Sequence, residues 1–171
     1  MTARIVIDGI AWPVLGAQVA VFRDDRVLVQ FRPFPPGWEL PGGHCEDGED
    51  PAQTAAREAE EENGYRIRIT HLVGVYTWAG LRRVGDVLYA GEVIGGAPKR
   101  SIEAISTRFV SPERLPRTLF PWYPRRVMDA LNATQGAPPV HRVQPVTPYH
   151  VLGFATDWLR VPVDALRRRL G

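Results

Sequence analysis

The stretch Gly43–Tyr65, GHCEDGEDPAQTAAREAEEENGY, determines more about this chain than any other segment. Its second half predicts an α-helix, because alanine and glutamate are both strong helix formers. Asp50 is a good N-cap, Pro51 suits the first helical position, and Asn63-Gly64 supplies a C-terminal stop. We therefore expect a loop, a helix and a second loop in this stretch.

Three glutamates of the predicted helix share one face. Glu58, Glu61 and Glu62 stand at positions i, i+3 and i+4, so their carboxylates lie close together and repel each other. Mg²⁺ or Mn²⁺ between them would offset that repulsion, since these hard cations prefer oxygen ligands. The alternative is an acidic face that is only solvated. Gly42-Gly43, just upstream, favours the metal site, because glycines let backbone groups approach a metal or phosphate closely.

The flanking segments predict a sheet on both sides of this helix. The β-branched and apolar runs Ala17–Arg23 and Arg26–Phe31 indicate a hairpin. Four prolines and three glycines in residues 32–43 predict no regular element there. A second helix is expected at Pro121–Leu131, and further strands at Arg66–Thr70, Leu72–Thr77, Asp86–Ile94 and Thr107–Val110. This order is typical of an α/β or α+β sandwich around a mixed sheet.

The composition limits the class of protein. The chain has 171 residues, of which 44% are hydrophobic and 23% charged, as in an ordinary globular domain. No apolar run approaches the roughly 18–20 residues of a membrane helix, and the N-terminus lacks an apolar signal core. The single cysteine, Cys45, fits a reducing compartment. We therefore expect a cytoplasmic protein with no membrane partner.

The charge is unevenly distributed along the chain. Eight acids and one base between Glu46 and Glu62 give a local charge of −7, although the net charge is +2. This patch would repel the phosphates of DNA or RNA, so no nucleic-acid partner is expected. A dense acidic patch inside a basic chain fits a metal site that faces an anionic substrate.

The sequence divides into three predicted parts. A domain over residues 1–132 is followed by a proline-rich linker at 133–148 and an amphipathic helical tail at 149–171. The tail has apolar residues at helical spacing and ends in three arginines. We expect it to dock on its own domain or on a partner subunit, which makes a homodimer one arrangement of this chain.

The quoted stretch resembles the Nudix box. That pattern is Gly, five residues, Glu, seven residues, then Arg-Glu-U-any-Glu-Glu-any-Gly-U, where U is a bulky aliphatic residue. The fixed positions are all matched here, by Gly43, Glu49, Arg57, Glu58, Glu61, Glu62 and Gly64. Ala59 and Tyr65 depart from the pattern at the U positions, which concern packing. The preceding WELPGG also resembles the usual approach to the box, and the resemblance covers about residues 15–132.

The resemblance implies a Nudix-type α/β/α sandwich and hydrolysis of a diphosphate linkage in a nucleoside diphosphate joined to some group X. It implies that Glu58, Glu61 and Glu62, with the Gly43 carbonyl, bind two or more Mg²⁺ or Mn²⁺ ions. Arg57 would brace the box loop against the helix together with Glu49. The substrate would be a small nucleotide-type diphosphate.

Other candidate residues lie around the box. The general base is left open between Glu58 and Glu103, which stands in a loop-like stretch before a predicted strand. Arg32 is a candidate contact for a substrate phosphate, as are the backbone groups of Gly42 and Gly43. Tyr76 and Trp78 are candidates for stacking on a base, although such residues more often pack in a core.

Two other functions are compatible with parts of this sequence. A non-catalytic Nudix-fold sensor would bind a nucleotide and signal to a partner, but it has no need of all three glutamates. An isoprenoid diphosphate isomerase would need a cysteine away from the box, whereas Cys45 lies within it. The sequence does not identify the group X.

Overall fold

The computed structural model describes residues 2–80 and 82–147. These residues form two α-helices, a short 3₁₀ helix at Pro112–Arg114 and nine strands. The helices are α1 (Pro51–Asn63) and α2 (Tyr123–Thr134). The strands are β1 (Ala3–Ile7), β2 (Ile10–Arg23), β3 (Arg26–Pro33), β4 (Pro36–Glu39), β5 (Gly42–His44), β6 (Tyr65–Trp78), β7 (Arg82–Gly96), β8 (Ser106–Val110) and β9 (Val140–Gln144).

The strands form one mixed sheet in the order β4-β3-β2-β7-β6-β9. The β2–β7 and β6–β9 pairs are parallel, whereas β2–β3, β3–β4 and β6–β7 are antiparallel. β1 and β5 pair with β2, and β8 pairs with β3. The expected mixed sheet is therefore confirmed.

The two helices cover opposite faces of this sheet. Successive residues of β7 show this, since Val87 lies in the apolar cluster under α1 and Leu88 in the cluster under α2. Ala55 and Ala59 of α1 are fully buried, so the helix backbone packs closely on the sheet. The α/β/α sandwich follows from this arrangement, and it holds α1 directly beside β5.

Helix α1 begins and ends where the sequence predicts. The Asp50 carboxylate accepts a hydrogen bond from the backbone N–H of Ala52 at 2.7 Å, as an N-cap does. Gly64 follows the last turn with a φ of 83°, and its N–H donates to the Glu60 carbonyl. Local capping therefore fixes the register of the three glutamates on the helix.

The predicted hairpin is also confirmed, with Asp24 and Asp25 as its turn residues. The strands expected at Arg66–Thr70 and Leu72–Thr77 are parts of one longer strand, β6. The prediction of no regular element in residues 32–43 is wrong, because β4 and β5 lie there. Proline is tolerated at the first position of an edge strand, and β4 begins with one.

The linker prediction for residues 133–148 is wrong in part. Strand β9 lies within this range and pairs in parallel with β6, so the sheet of the domain extends to Gln144. Prolines flank the strand without interrupting it, which explains why the segment resembles a linker. The tail expected at 149–171 lies outside the described residues. No helix within the described ranges is long and apolar enough to cross a membrane.

Candidate active site

The site lies where helix α1 packs against strand β5. Glu62 is only 6% exposed, and its Oε2 accepts a hydrogen bond from the backbone N–H of Gly42 at 3.0 Å. Glu58 faces Gly43, where an added Cβ would fall 2.6 Å from the Glu58 Oε1. Glu61 is the exposed member of the three. The structure thus places two of the three predicted glutamates, Glu58 and Glu62, against these glycines.

Gly42 and Gly43 are both required by close approach. Gly42 has a φ of 150°, and an added Cβ would lie 2.4 Å from the Ala17 carbonyl oxygen. At Gly43 a side chain would displace the Glu58 carboxylate. A side chain at Gly42 would therefore push β5 away from β2, whereas one at Gly43 would move a carboxylate of the site.

Arg57 joins the box loop to the helix, as the resemblance implies. Its guanidinium donates to both carboxylate oxygens of Glu49, at 2.8 and 3.0 Å. It also lies 2.9 Å from Glu58 Oε1 and 3.2 Å from Glu61 Oε2. The Thr54 hydroxyl donates to Glu49 as well. The hydrogen bonds from Arg57 hold the pKa of Glu49 at about 2, so this carboxylate is charged at neutral pH.

The buried carboxylates of the site have raised pKa values. Burial raises the pKa of Glu58, against the opposing effect of Arg57. Burial also raises the pKa of Glu62 well above its usual value, and the nearby Glu39 carboxylate adds to the rise. Because negative charge is concentrated here with few cationic partners, the site favours any positive ion that can enter it.

The donor set fits a hard divalent cation. It consists of carboxylate oxygens and a backbone carbonyl, the ligand types that Mg²⁺ and Mn²⁺ prefer. Within the described residues, no three carboxylate, imidazole or thiol groups converge closely enough to surround an ion as they stand. Glu58 and Glu61 contact Arg57 instead. Holding a cation would therefore require these two side chains to turn away from Arg57.

Glu39 is a buried carboxylate of this region that the sequence analysis missed. Burial raises its pKa to about 7, although Arg32 lies 3.3 Å away and opposes the rise. The fully buried Gln30 opposes the rise in the pKa values of both Glu39 and Glu62. The WELPGG stretch is the only motif near Glu39 in the sequence, and it does not indicate that the Glu39 side chain is buried.

The other predicted residues lie at different distances from the box. Glu103 is exposed, and its charge adds slightly to the raised pKa values of Glu39 and Glu58. Arg32 reaches the cluster through its ion pair with Glu39. Tyr76 is fully buried and donates to Asp129, so it is not available to stack on a base. Trp78 is half-buried and packs edge-on against Trp122.

Comparison with known proteins tests the resemblance of this sequence to the Nudix family. The sequence profile of the NUDIX domain matches residues 12–131. A Bacillus subtilis protein provisionally named an 8-oxo-dGTP diphosphatase is 30% identical over 158 residues, covering 91% of this chain and 97% of that protein. A CMP-5'-(N-acetyl-N-hydroxy-3-aminopropyl)phosphonate hydrolase of Streptomyces rubellomurinus is 43% identical over 104 residues, or 56% of this chain. This chain matches only 50% of the length of that hydrolase.

Solved structures show the same fold. An ADP-ribose pyrophosphatase of Streptococcus suis superimposes with a TM-score of 0.64 at 22% identity, covering 76% of this chain and 98% of that one. A NUDIX hydrolase of Nitrosomonas europaea gives a TM-score of 0.64 at 18% identity, covering 85% and 94%. With the box geometry and the profile match over most of the chain, these likenesses lead to one conclusion: the chain belongs to the Nudix hydrolase family.

Proposed function

We propose that this chain hydrolyses a diphosphate linkage in a nucleotide-derived substrate and depends on Mg²⁺ or Mn²⁺. The observation that carries the proposal is the packing of Glu58 and Glu62 against the two glycines of β5, with Arg57 pairing both Glu58 and the exposed Glu61. A binding module would not need three carboxylates at such electrostatic cost.

The metal ligands in this proposal are Glu58, Glu61, Glu62 and the Gly43 carbonyl, holding two or more ions. When bound, the ions supply charge neutralisation at the diphosphate and a bound water of lowered pKa. Arg57 donates two hydrogen bonds to Glu49, and these would hold the loop against α1 if Glu58 and Glu61 turned to bind the ions. Arg57 is therefore a positioning residue.

The attacking water needs a base that takes its proton as the bond to phosphorus forms. Glu58 and Glu103 are the two candidates, since Glu58 is a carboxylate of the site and the charge of Glu103 acts on it. Glu103 is exposed and stands on a loop, whereas Glu58 is half-buried on the helix. Glu58 is also a proposed metal ligand, so replacing it would remove both a candidate base and a metal ligand. Replacing Glu103 would remove only a candidate base.

Contacts to the substrate phosphates are proposed for Arg32 and for the backbone groups of Gly42 and Gly43. Arg32 brings a guanidinium to the cluster, where its pairing with Glu39 fixes its position. A planar guanidinium suits phosphate oxygens, because it offers two parallel donors.

We further propose a cytoplasmic location, consistent with the lone half-buried Cys45, and leave the homodimer as a prediction.

The test is release of phosphate and pyrophosphate from a panel of nucleotides. The panel should contain nucleoside triphosphates, oxidised deoxynucleotides, nucleotide sugars and CMP conjugates, each with Mg²⁺, Mn²⁺ or chelator. We expect metal-dependent turnover that Glu62→Gln reduces by about a hundredfold or more. Glu60→Gln is the matched control, because Glu60 lies on the same helix and is exposed. Tight nucleotide binding without turnover of any compound would contradict the proposal and support the sensor.

One further variant, Glu103→Gln, separates the two candidate bases. If Glu103 is the base, Glu103→Gln lowers kcat and removes the acidic limb of the kcat–pH profile while leaving metal affinity unchanged. If Glu58 is the base, Glu103→Gln leaves that limb in place. Metal affinity can be followed separately by Mn²⁺ binding in an electron paramagnetic resonance titration.

A further inference from the structure

A buried arginine connects helix α2 to three strands on the face of the sheet opposite α1. Arg126 of α2 has no exposed area, and its guanidinium donates to Gln18 at 2.5 Å and to Gln144 at 2.8 Å. It also donates to Oδ2 of Asp86 on β7, at 3.3 Å. Three rings surround it, those of Tyr76, Trp78 and Tyr123. These contacts fix the guanidinium and therefore fix one oxygen of Asp86.

The other oxygen of Asp86, Oδ1, is not bonded to Arg126. The side chain is 29% exposed, and within the described part of the chain Oδ1 accepts no hydrogen bond. A partly exposed carboxylate whose orientation is fixed by a buried partner, and whose second oxygen accepts no hydrogen bond, is already oriented for a ligand. Asp86 had no role in the sequence analysis, because nothing local distinguishes it from a strand residue.

Asp86 lies next to the proposed active site. A Cβ added at Gly16 of β2 would fall 3.1 Å from Asp86 Oδ1 and 3.2 Å from the Gly43 carbonyl oxygen. Oδ1 is therefore close to the Nudix box, on the face of the sheet that carries α2. A side chain at Gly16 would crowd Oδ1, whereas glycine does not.

We propose that Asp86 Oδ1 accepts a hydrogen bond from the nucleoside part of the substrate and thereby determines which nucleotide is preferred. This inference rests on the proposed function, because it places the nucleoside beside the box glycine. The donor is a base N–H or a sugar O–H. A phosphate is disfavoured, since its oxygens would meet a carboxylate and a carbonyl. A second cation is disfavoured because Arg126 already neutralises Asp86.

The test measures binding, so that it does not depend on turnover. The probes are α,β-methylene nucleoside diphosphates, in which a P–C–P bridge replaces the only diphosphate linkage, titrated calorimetrically in the presence of Mg²⁺. One arm compares bases that differ by one amino group: guanosine with inosine, adenosine with purine riboside, and cytidine with zebularine. The other arm compares ribose, 2'-deoxyribose and 2',3'-dideoxyribose on one base.

We expect the wild type to prefer the member that carries the donor in one of the two arms. Asp86→Asn keeps an oxygen for Arg126 but can turn its NH₂ to the ligand, so this preference should fall by about tenfold or more. Gly16→Ala retains the Asp86–Arg126 pair and should reduce the same preference, because its Cβ crowds Oδ1. The arm that responds identifies the donor as base or sugar.

Asp129→Asn is the matched control. Asp129 is a buried carboxylate of α2 bonded to Tyr76 and Arg142, so its variant disturbs the same helix without altering Oδ1 of Asp86. It should leave both sets of binding ratios unchanged. The inference is overturned if no probe binds, or if Asp86→Asn leaves every ratio at its wild-type value. Asp86-dependent binding without any turnover would contradict the proposed function alone, whereas turnover with Asp86-independent ratios would contradict this inference alone.

Discussion

Glu62 and Gly42 are joined by a hydrogen bond of 3.0 Å from the glycine N–H to the buried carboxylate. This bond ties the last turn of α1 to strand β5, twenty residues upstream. It partly satisfies a charge that burial makes unfavourable, as the raised pKa of Glu62 shows. The geometry of the site is therefore maintained at a cost in stability, and that cost can be measured.

Replacing Glu62 by glutamine should stabilise the metal-free protein while it lowers turnover by about a hundredfold or more. Glutamine keeps an oxygen for the Gly42 N–H and removes the buried charge. At pH 7.5, without divalent ions, we expect a Tm higher by roughly 2–4 °C in thermal unfolding. Added Mg²⁺ should raise the Tm of the wild type and not that of the variant. A lower Tm for the metal-free variant would show that the charge itself holds the helix end.

Arg57 should not be replaceable by lysine. Lysine cannot donate to both oxygens of Glu49, so the loop would lose its fixed position on α1. We expect kcat/KM for Arg57→Lys to fall by about 10–100-fold, as for other groups that orient metal ligands. Arg68→Lys is the control, because Arg68 forms an exposed ion pair with Glu92. Equal activity of the two variants would remove Arg57 from the positioning role.

The features that local sequence determines were predicted correctly. Asp50, Pro51 and Gly64 specify the ends of α1 through contacts within a few residues, and the hairpin turn depends on adjacent aspartates. The short strands β1, β4, β5 and β9 were missed, because their stability comes from distant pairing partners and not from their own composition.

The distinction between local sequence and distant partners also applies to the residues of the site. Spacing alone placed Glu58, Glu61 and Glu62 on one face, and Arg57 within reach of them. Glu39, Asp86 and Arg126 could not be found in this way. Their roles arise from burial and from partners on other elements, as for Arg126 with Gln18, more than one hundred residues upstream.

Stability of the metal-free protein should fall as the pH rises through the range set by Glu39. Its pKa is about 7 in the folded protein and 4.5 as its ordinary value, so the folded state binds the extra proton between these values. The contribution is complete below pH 4.5 and is lost as the pH approaches 7, by on the order of 3 kcal/mol at most. Urea unfolding at pH 5.5 and pH 7.5 should show the larger part of this loss, and Glu39→Gln should reduce it. Glu113→Gln, at an exposed position, should leave it unchanged.

Asp129 should be important for stability because it connects α2 to the edge strand β9. The sequence analysis predicts a linker at this strand. Its carboxylate accepts from the Tyr76 hydroxyl at 3.0 Å and from Arg142 of β9 at 2.7 Å. Asp129→Ala leaves the buried Tyr76 hydroxyl without this acceptor, so we expect a loss of about 1–3 kcal/mol in the free energy of unfolding. Asp129→Asn keeps an acceptor and should lose less. Hydrogen exchange can localise the effect, since amide protection should fall first in β9 and the adjoining end of β6. If protection falls equally across the sheet, β9 is not a separate unit and its pairing is coupled to the whole core.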